Sequence, residues 1–442
     1  MKVLTRRQLI SEGLGWLSSA GAIAALGDLG QVQAKADPAL SDYKALVCIF
    51  LFGGNDGNNT VIPISGAAAQ NYKTIRGSFG ISNPLALAGT NLGLHPNLSG
   101  LASIFNTQGN LAVTCNVGTL LAPMTRTQFK NNSVAKPVNL FSHTDQQQEW
   151  QLCDALEKLS TGWGGRAIDL FEPATPPSFP LAVSVNGSNS FLVGIETKPT
   201  CIGTSSFALP GEDGSSSTAI RDGSLQQLLS LSSGAALVQA ANSTIQSAVA
   251  LTQQIKALNT KTTAVPFPAT PLGSQLREIA QIIRGRNQFG VNRQVFFASL
   301  GGFDTHTYQI ATHNSLLQQL NDAMVAFHTA MADSSIAAAD QVTLFTQSEF
   351  GRTLQPNTNG GTDHAWGSHH LVLGGAVRSG VYGQFPDLTV GGDLDCGFRG
   401  NWIPTTALDQ YAATLASWFG VSNPESIFTN LPAFSQPNLG FL

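Results

Sequence analysis

Residues 44–52 read KALVCIFLF and run without a polar break into Gly53-Gly54-Asn55-Asp56-Gly57-Asn58-Asn59. A strand that is apolar at every position, rather than at alternate ones, belongs in a sheet covered on both faces. Working outward, 97–105 reads as a helix and 111–117 as the next strand. Later come a helix at 274–284, a strand at 294–300, a helix at 313–332, strands at 341–346 and 371–377, and a helix at 406–419. Strands alternating with helices predict an α/β fold: a doubly wound, mostly parallel sheet with helices on both faces. Residues 175–215 are strand and turn material, rich in Ser, Gly and Pro. The neutral-polar stretch around 215–265, with leucines at helical spacing, reads as a helical insertion in a single domain spanning 37–442.

The chain has 442 residues, 23 Lys+Arg and 27 Asp+Glu, for a net charge of −4. Only 11% of residues are charged, against about 25% in ordinary globular domains. With no basic run and a pI near 6.0, a nucleic-acid partner is excluded. A hydrophobic share of 42% excludes disorder as a description of the whole chain. Residues 1–36 carry Lys2, Arg6 and Arg7, then a Gly/Ala-rich stretch and Ala34-Lys35-Ala36. Thr5-Arg6-Arg7-x-Leu-Ile resembles a twin-arginine signal peptide, an address read by the export machinery, which predicts a periplasmic, cell-surface or extracellular protein. No later apolar run reaches the ~18 residues needed to span a bilayer. The five cysteines match no zinc-ligand spacing, and their odd number leaves at least one thiol unpaired.

In open α/β sheets ligands bind at the carboxyl ends of the strands. Asp56 follows the first strand; Asp304 and His306 follow 294–300, with His313 seven residues on; Glu349 and Arg352 follow 341–346. The loop running into 371–377 holds Asp363, His364, His369 and His370. Carboxylates mixed with imidazoles suit a divalent ion (Zn, Mn, Mg, Ca or Fe), and there are more acids than one ion needs. Two ions sharing bridging carboxylates fit that excess, and without a cation the acids would repel. Turn chemistry alone also explains Asn55-Asp56-Gly57. The parts of a GxSxG elbow, a Walker loop, a GxGxxG turn and an HExxH helix are missing.

The segments GGNDGNN (53–59), LGLHPNL (92–98), NLFSHTDQQ (139–147), TGWGGR (161–166), GGFDTH (301–306), SEFGR (348–352), GTDHAWG (361–367) and RGNWIPTTALDQYAATLASWFGV (399–421) together resemble an exported bacterial family, domain of unknown function 1501. That family looks like a remote branch of the alkaline phosphatase and sulfatase superfamily, which implies an alkaline phosphatase-like sheet and a two-metal site. The resemblance puts Asp56 at the first-strand metal aspartate and Asp304 with His306 at an aspartate–histidine pair. Glu349-Phe350-Gly351 stands where relatives have Asp-His-Gly. Phe350 cannot be a ligand, and His364 could supply the imidazole instead. One of His369 and His370 resembles the last metal histidine, since neighbouring strand residues face opposite ways. Ser142-His143 resembles the superfamily's hydroxyl and histidine segment, with Ser142 as nucleophile and Thr125 or Thr127 competing. Ser142 and Asp145 also read as a helix cap. Arg126, Arg166 and Arg352 are candidates to hold a phosphate or sulfate oxygen pair.

The resulting expectation is an exported metal-dependent hydrolase of phosphate esters, with sulfate esters second, acting on a small-molecule or polymer substrate. The alternative is a catalytically inactive secreted binding or surface-assembly module.

Overall fold

The apolar run is the central strand, β1 (Lys44–Phe52), with seven consecutive residues buried. The computed structural model describes residues 42–171, 179–204, 217–231, 235–259 and 263–442, so the signal peptide read at 1–36 lies outside the described residues. After β1 come β2 (Val61–Pro63), α1 (Gly66–Arg76), β3 (Leu85–Ala86) and β4 (Leu92–Leu94); β2, β4 and β3 form a small antiparallel sheet. The chain continues through β5 (Leu111–Gly118), α2 (Arg126–Asn131), α3 (His143–Leu152), α4 (Trp163–Asp169), β6 (Ala182–Ser184) and β7 (Thr200–Cys201). Helices α5 (Ser217–Ser230) and α6 (Ala236–Asn259) pack on one another, and α6 rests on α7 (Pro271–Arg284). The last elements are β8 (Arg293–Gly301), α8 (Gln309–Ala332), β9 (Val342–Gln347), β10 (Ser368–Leu373), β11 (Gly380–Tyr382), β12 (Thr406–Ala407) and α9 (Leu408–Phe419).

The main sheet has nine strands in the order β11-β5-β10-β9-β1-β8-β6-β7, with β12 also on β5. Every pairing is parallel except the two made by β10, which runs antiparallel to β9 and to β5. The alternation of β1 explains why it is apolar throughout. Ala45, Val47, Ile49 and Leu51 enter one core, against Leu276 and Ile279 of α7 and Leu320 and Met324 of α8. Leu46, Cys48 and Phe50 enter the other, against Trp163 and Ile168 of α4 and Tyr411 and Leu415 of α9. Each large apolar side chain so buried contributes ~1.5–3 kcal/mol. Helices therefore cover both faces of a mostly parallel sheet.

The helix starts follow local chemistry. Thr270 accepts from Gly273 N at 3.1 Å ahead of α7, with Pro271 at its first position. Thr125 forms a capping box with Gln128 ahead of α2, which engages its hydroxyl in the helix start. Two boundaries differ from the sequence reading and matter for the site. Helix α8 begins at Gln309, four residues earlier than read, which sets His313 a full turn inside the helix, and β10 begins at Ser368, which draws His369 and His370 into the sheet. Among the described residues no helix is long and apolar enough to cross a membrane.

Candidate metal centre

Strands β9, β1 and β8 are adjacent and parallel, with Phe50 opposite Gln347 and Phe52 opposite Gly301, so the loops after all three leave the sheet side by side. Because β10 runs the other way, the segment before it, 361–367, returns to the same rim. The loops are in close contact. At Gly53 (φ +117°) a Cβ would lie 2.3 Å from Asp304 N, and at Gly54 (φ +81°) it would lie 2.3 Å from Phe350 Cε2. Only glycine combines that conformation with that closeness.

On this rim one carboxylate and three imidazoles converge. His306 Nε2 lies 3.0 Å from Asp304 Oδ1 and 3.0 Å from His364 Nε2. His364 Nε2 is 3.5 Å from Asp304 Oδ1, and His143 Nε2 is 3.6 Å from Asp304 Oδ2. Ligand atoms of His143, Asp304 and His364 all lie within 4.8 Å of one another. The other ring nitrogens face outward onto groups that only accept. His143 Nδ1 meets Glu349 Oε1 at 2.9 Å, His306 Nδ1 meets Asp363 Oδ1 at 3.1 Å, and His364 Nδ1 meets the Phe141 carbonyl at 2.9 Å. With the hydrogen on Nδ1, beside its acceptor, each neutral ring keeps a lone pair on Nε2, the atom that lies 3.0–3.6 Å from an Asp304 oxygen. Metal-binding histidines are held in this way.

The donor set fits a small divalent cation. Donors ~2.0–2.1 Å from a tetrahedral ion stand about 3.3 Å apart, and Asp304 Oδ1, His306 Nε2 and His364 Nε2 lie 3.0, 3.0 and 3.5 Å from one another. The donors are also reachable, with Asp304 and His306 side chains 48% and 42% exposed.

Glu349 is fully buried, and Gly53 N (2.8 Å), His143 Nδ1 and Gln147 Nε2 (3.0 Å) all meet its Oε1. That hydrogen bond raises the His143 pKa above the usual imidazole value against the opposing effect of burial. Burial, with Arg352 and the other two rings nearby, holds His364 below it, in the neutral form a ligand needs. Burial alone would raise Asp304, but the bond and charge of Arg352 keep its carboxyl low and ionised. Phe350 is the floor: its ring lies 4.8 Å from His143 and 4.6 Å from His364. The residue that breaks the expected ligand pattern thus packs under two of the imidazoles.

Several expected site residues sit elsewhere. Asp56 is buried and held at both oxygens by Arg76, at 2.6 and 2.7 Å, with Gln309 Nε2 donating as well, so it has no free edge to offer an ion. His369 is buried in β10, where its Nδ1 accepts from Asn116 N at 3.0 Å and its ring stacks on Phe385. His370 points to the opposite core, between Trp150 and Tyr411. Burial pushes both histidines down to about 3. Asp56, His369 and His370 are thus engaged away from the rim, where among the described residues Asp304 converges with His143, His306 and His364. Arg352 is fully buried and donates to the carbonyls of Gly53, Gly54, Phe303 and Thr362 and to Asp304. It ties the loops together and has no outward edge for an ester. Arg166 is likewise engaged with the carbonyls of Thr161, Leu152 and Ile427. Trp366 packs inside and donates to Thr119 O at 3.1 Å. Ser142 is the N-cap of α3 yet makes no side-chain cap bond.

Three contributors escaped the sequence reading. Gln147 stands one helical turn from His143, a spacing that predicts a shared face. Arg399 pairs with Asp363 Oδ2 and supports His306 at one remove. The Phe141 carbonyl reaches His364 because Phe141 takes a positive φ of 76°, for which a phenylalanine gives no signal.

No curated protein matches the chain in sequence. Among solved structures, the C-terminal periplasmic domain of EcEptC from Escherichia coli, in complex with Zn, is 9% identical with a TM-score of 0.30; the match covers 77% of this chain and 75% of that one. Ps i-CgsB in complex with k-i-k-neocarrahexaose is 9% identical with a TM-score of 0.33, over 90% of this chain and 77% of that one. A family described as a protein of unknown function (DUF1501) matches residues 43–393, and the chain belongs to it.

Proposed function

We propose that this DUF1501 member is a metal-dependent hydrolase of phosphate esters, with sulfate esters the second class, built on a doubly wound sheet of alkaline phosphatase type. Export through the twin-arginine signal at 1–36 to the periplasm or cell surface belongs to the same reading. The observation that carries it is the convergence of three Nε2 lone pairs on Asp304, each fixed from behind by an acceptor. Asp304, His306 and His364, with the tightest separations, would hold one divalent ion. Such an ion supplies Lewis acidity to a phosphoryl or sulfuryl oxygen. His143, held at Nδ1 by the buried Glu349 and, among the described residues, without a hydrogen-bond partner at Nε2, is the group that moves a proton. Phe350 and Gln147 keep that ring in place. The attacking oxygen comes from the uncapped Ser142 hydroxyl or from water, and Ser142→Ala separates the two.

The fully engaged Arg352 favours one competing reading, a secreted binding module with no turnover. The test is metal content after chelation and reloading, together with turnover of a panel of aryl phosphates and sulfates. About one equivalent of metal with turnover is expected in the wild type, and neither in Asp304→Ala. Bound metal without turnover selects the binding module. Absence of metal from the wild type overturns the site.

A further inference from the structure

We infer that the outer wall of this site, formed by Arg126, Lys130 and Phe398, docks a polyanionic substrate that carries phosphate or sulfate groups beyond the ester reaching Asp304. The inference rests on the hydrolase reading and narrows its substrate class. It begins with where the cations are. Arg352, inside the cluster, is enclosed by carbonyls and Asp304, and Arg399 is paired with Asp363 and Gln355 O. An anionic ester therefore finds no open guanidinium at the metal cluster among the described residues, and its remaining charge must be met further out.

That charge is available one loop away. Phe398 is 68% exposed, with the Arg126 guanidinium 4.6 Å and the Lys130 ammonium 4.7 Å from its ring centre. Lys136 lies on the neighbouring Phe129, 3.9 Å from its ring. None of the three cations has a carboxylate within 4 Å among the described residues. Of the nearby acids, Asp393 is exposed, while Asp395 is buried with its oxygens taken by the N–H groups of Gly391, Gly397, Gly400 and Asn401. In a chain that is only 11% charged, such grouping is not a general property of the surface.

The wall is bonded to the centre. Arg126 donates to Gly397 O at 2.9 Å, Arg399 follows Phe398 and holds Asp363, and Asn401 Nδ2 donates to His364 O at 3.2 Å. A cation over an exposed ring contributes little to stability. Its effect is to hold two flexible charged side chains in place, which lowers the ordering cost of binding an anion.

The test is equilibrium binding of labelled inorganic polyphosphate and labelled dextran sulfate to the full chain at two salt concentrations, with and without EDTA. Both polyanions are expected to bind, uncharged dextran is not, and salt is expected to weaken the binding. Removing one cation that pairs with the polyanion flattens the slope of log K against log salt by ~0.7, by analogy with single-stranded nucleic acid. R126Q/K130Q should therefore weaken binding by about tenfold at low salt and flatten that slope by more than one unit. F398A should weaken it severalfold, and K198Q, beside the strand at the far edge of the sheet, should not. Binding of one polyanion but not the other identifies the anion as phosphate or sulfate and supports the wall. Binding insensitive to R126Q/K130Q overturns it. So does binding abolished by EDTA, because the metal is then the anchor. If the wild type holds no metal but polyanion binding follows the variants, the hydrolase reading fails and the docking surface stands.

Discussion

The sharpest test of the centre is Asp363→Asn, because an amide cannot satisfy what this carboxylate satisfies. Oδ1 accepts from His306 Nδ1 and Asn357 Nδ2, both at 3.1 Å, and Oδ2 accepts from Arg399. Asparagine offers one oxygen and one NH2 group. With the oxygen toward His306, the NH2 faces the Arg399 guanidinium. Flipped, it faces His306 Nδ1 and forces the hydrogen onto Nε2, the atom needed as a ligand. The loop itself stays anchored by Thr353 N to Asp363 O (3.0 Å) and by Asp363 N to Thr353 Oγ1 (3.2 Å). Removing a carboxylate behind a metal-bound histidine weakens metal affinity by about 10–100-fold, or ~1.4–2.7 kcal/mol. The Asp363–Arg399 pair is more than one-third exposed on each side, so its own part in stability is at most ~1 kcal/mol. The expected result is a large loss of Zn²⁺ or Co²⁺ affinity, read by chelator competition, with a small change in unfolding free energy. Arg399→Gln, which leaves the His306 bond intact, should change affinity by less than about threefold. Equal affinities in the wild type and Asp363→Asn would refute the reasoning, since His306 would then owe nothing to its carboxylate.

Three further outcomes follow from other parts of the structure. Gly54→Ala places a Cβ 2.3 Å from the Phe350 ring at a positive φ; it should cost roughly 1–3 kcal/mol and abolish metal binding, and wild-type affinity would count against Phe350 as the floor. Burial raises Glu149 to about 9, above its unfolded value, so its contribution is full below about pH 4.5 and is lost as pH rises toward 9. Glu149→Gln should therefore be more stable than wild type by roughly 2–4 kcal/mol at pH 7.5 and equal to it near pH 4.5, and identical melting curves at both pH values would contradict this. His313, His369 and His370 are depressed by burial to about 4, 3 and 3, so their neutral-state stability is full above pH 6.5 and fades as pH falls below it. Among the described residues both His370 ring nitrogens lack partners, so His370→Phe should flatten the acid limb by up to one proton's share of the slope, ~1.4 kcal/mol per pH unit, and an unchanged limb would show that this ring does not stay neutral.

Much of the architecture was legible because it follows from patterning. An apolar run with no polar face has one home, the middle of a sheet covered on both sides, and β1 occupies it. The direction of β10 was not legible, since apolar periodicity is blind to the sense of a strand. That sense has chemical consequences: it brings Asp363 and His364 back to the rim, while starting the strand at Ser368 carries His369 and His370 away from it.

Position at a strand end tells which residues reach the rim, but not which neighbour claims them first. Asp56 and Asp304 look alike in sequence, each an acid just past a Gly-Gly pair or a Gly-Gly-Phe turn. Asp56 is closed off by Arg76, twenty residues later in α1, with Gln309 on the same oxygen. Asp304 also meets an arginine, but Arg352 has most of its donors on four backbone carbonyls and takes only part of the carboxylate. Oδ2 and the exposed side of Oδ1 stay open to three imidazoles. What separates a buried ion pair from a candidate metal ligand here is how many other acceptors the arginine serves. Carbonyl groups supplied by three loops decide that number, and no local motif records it.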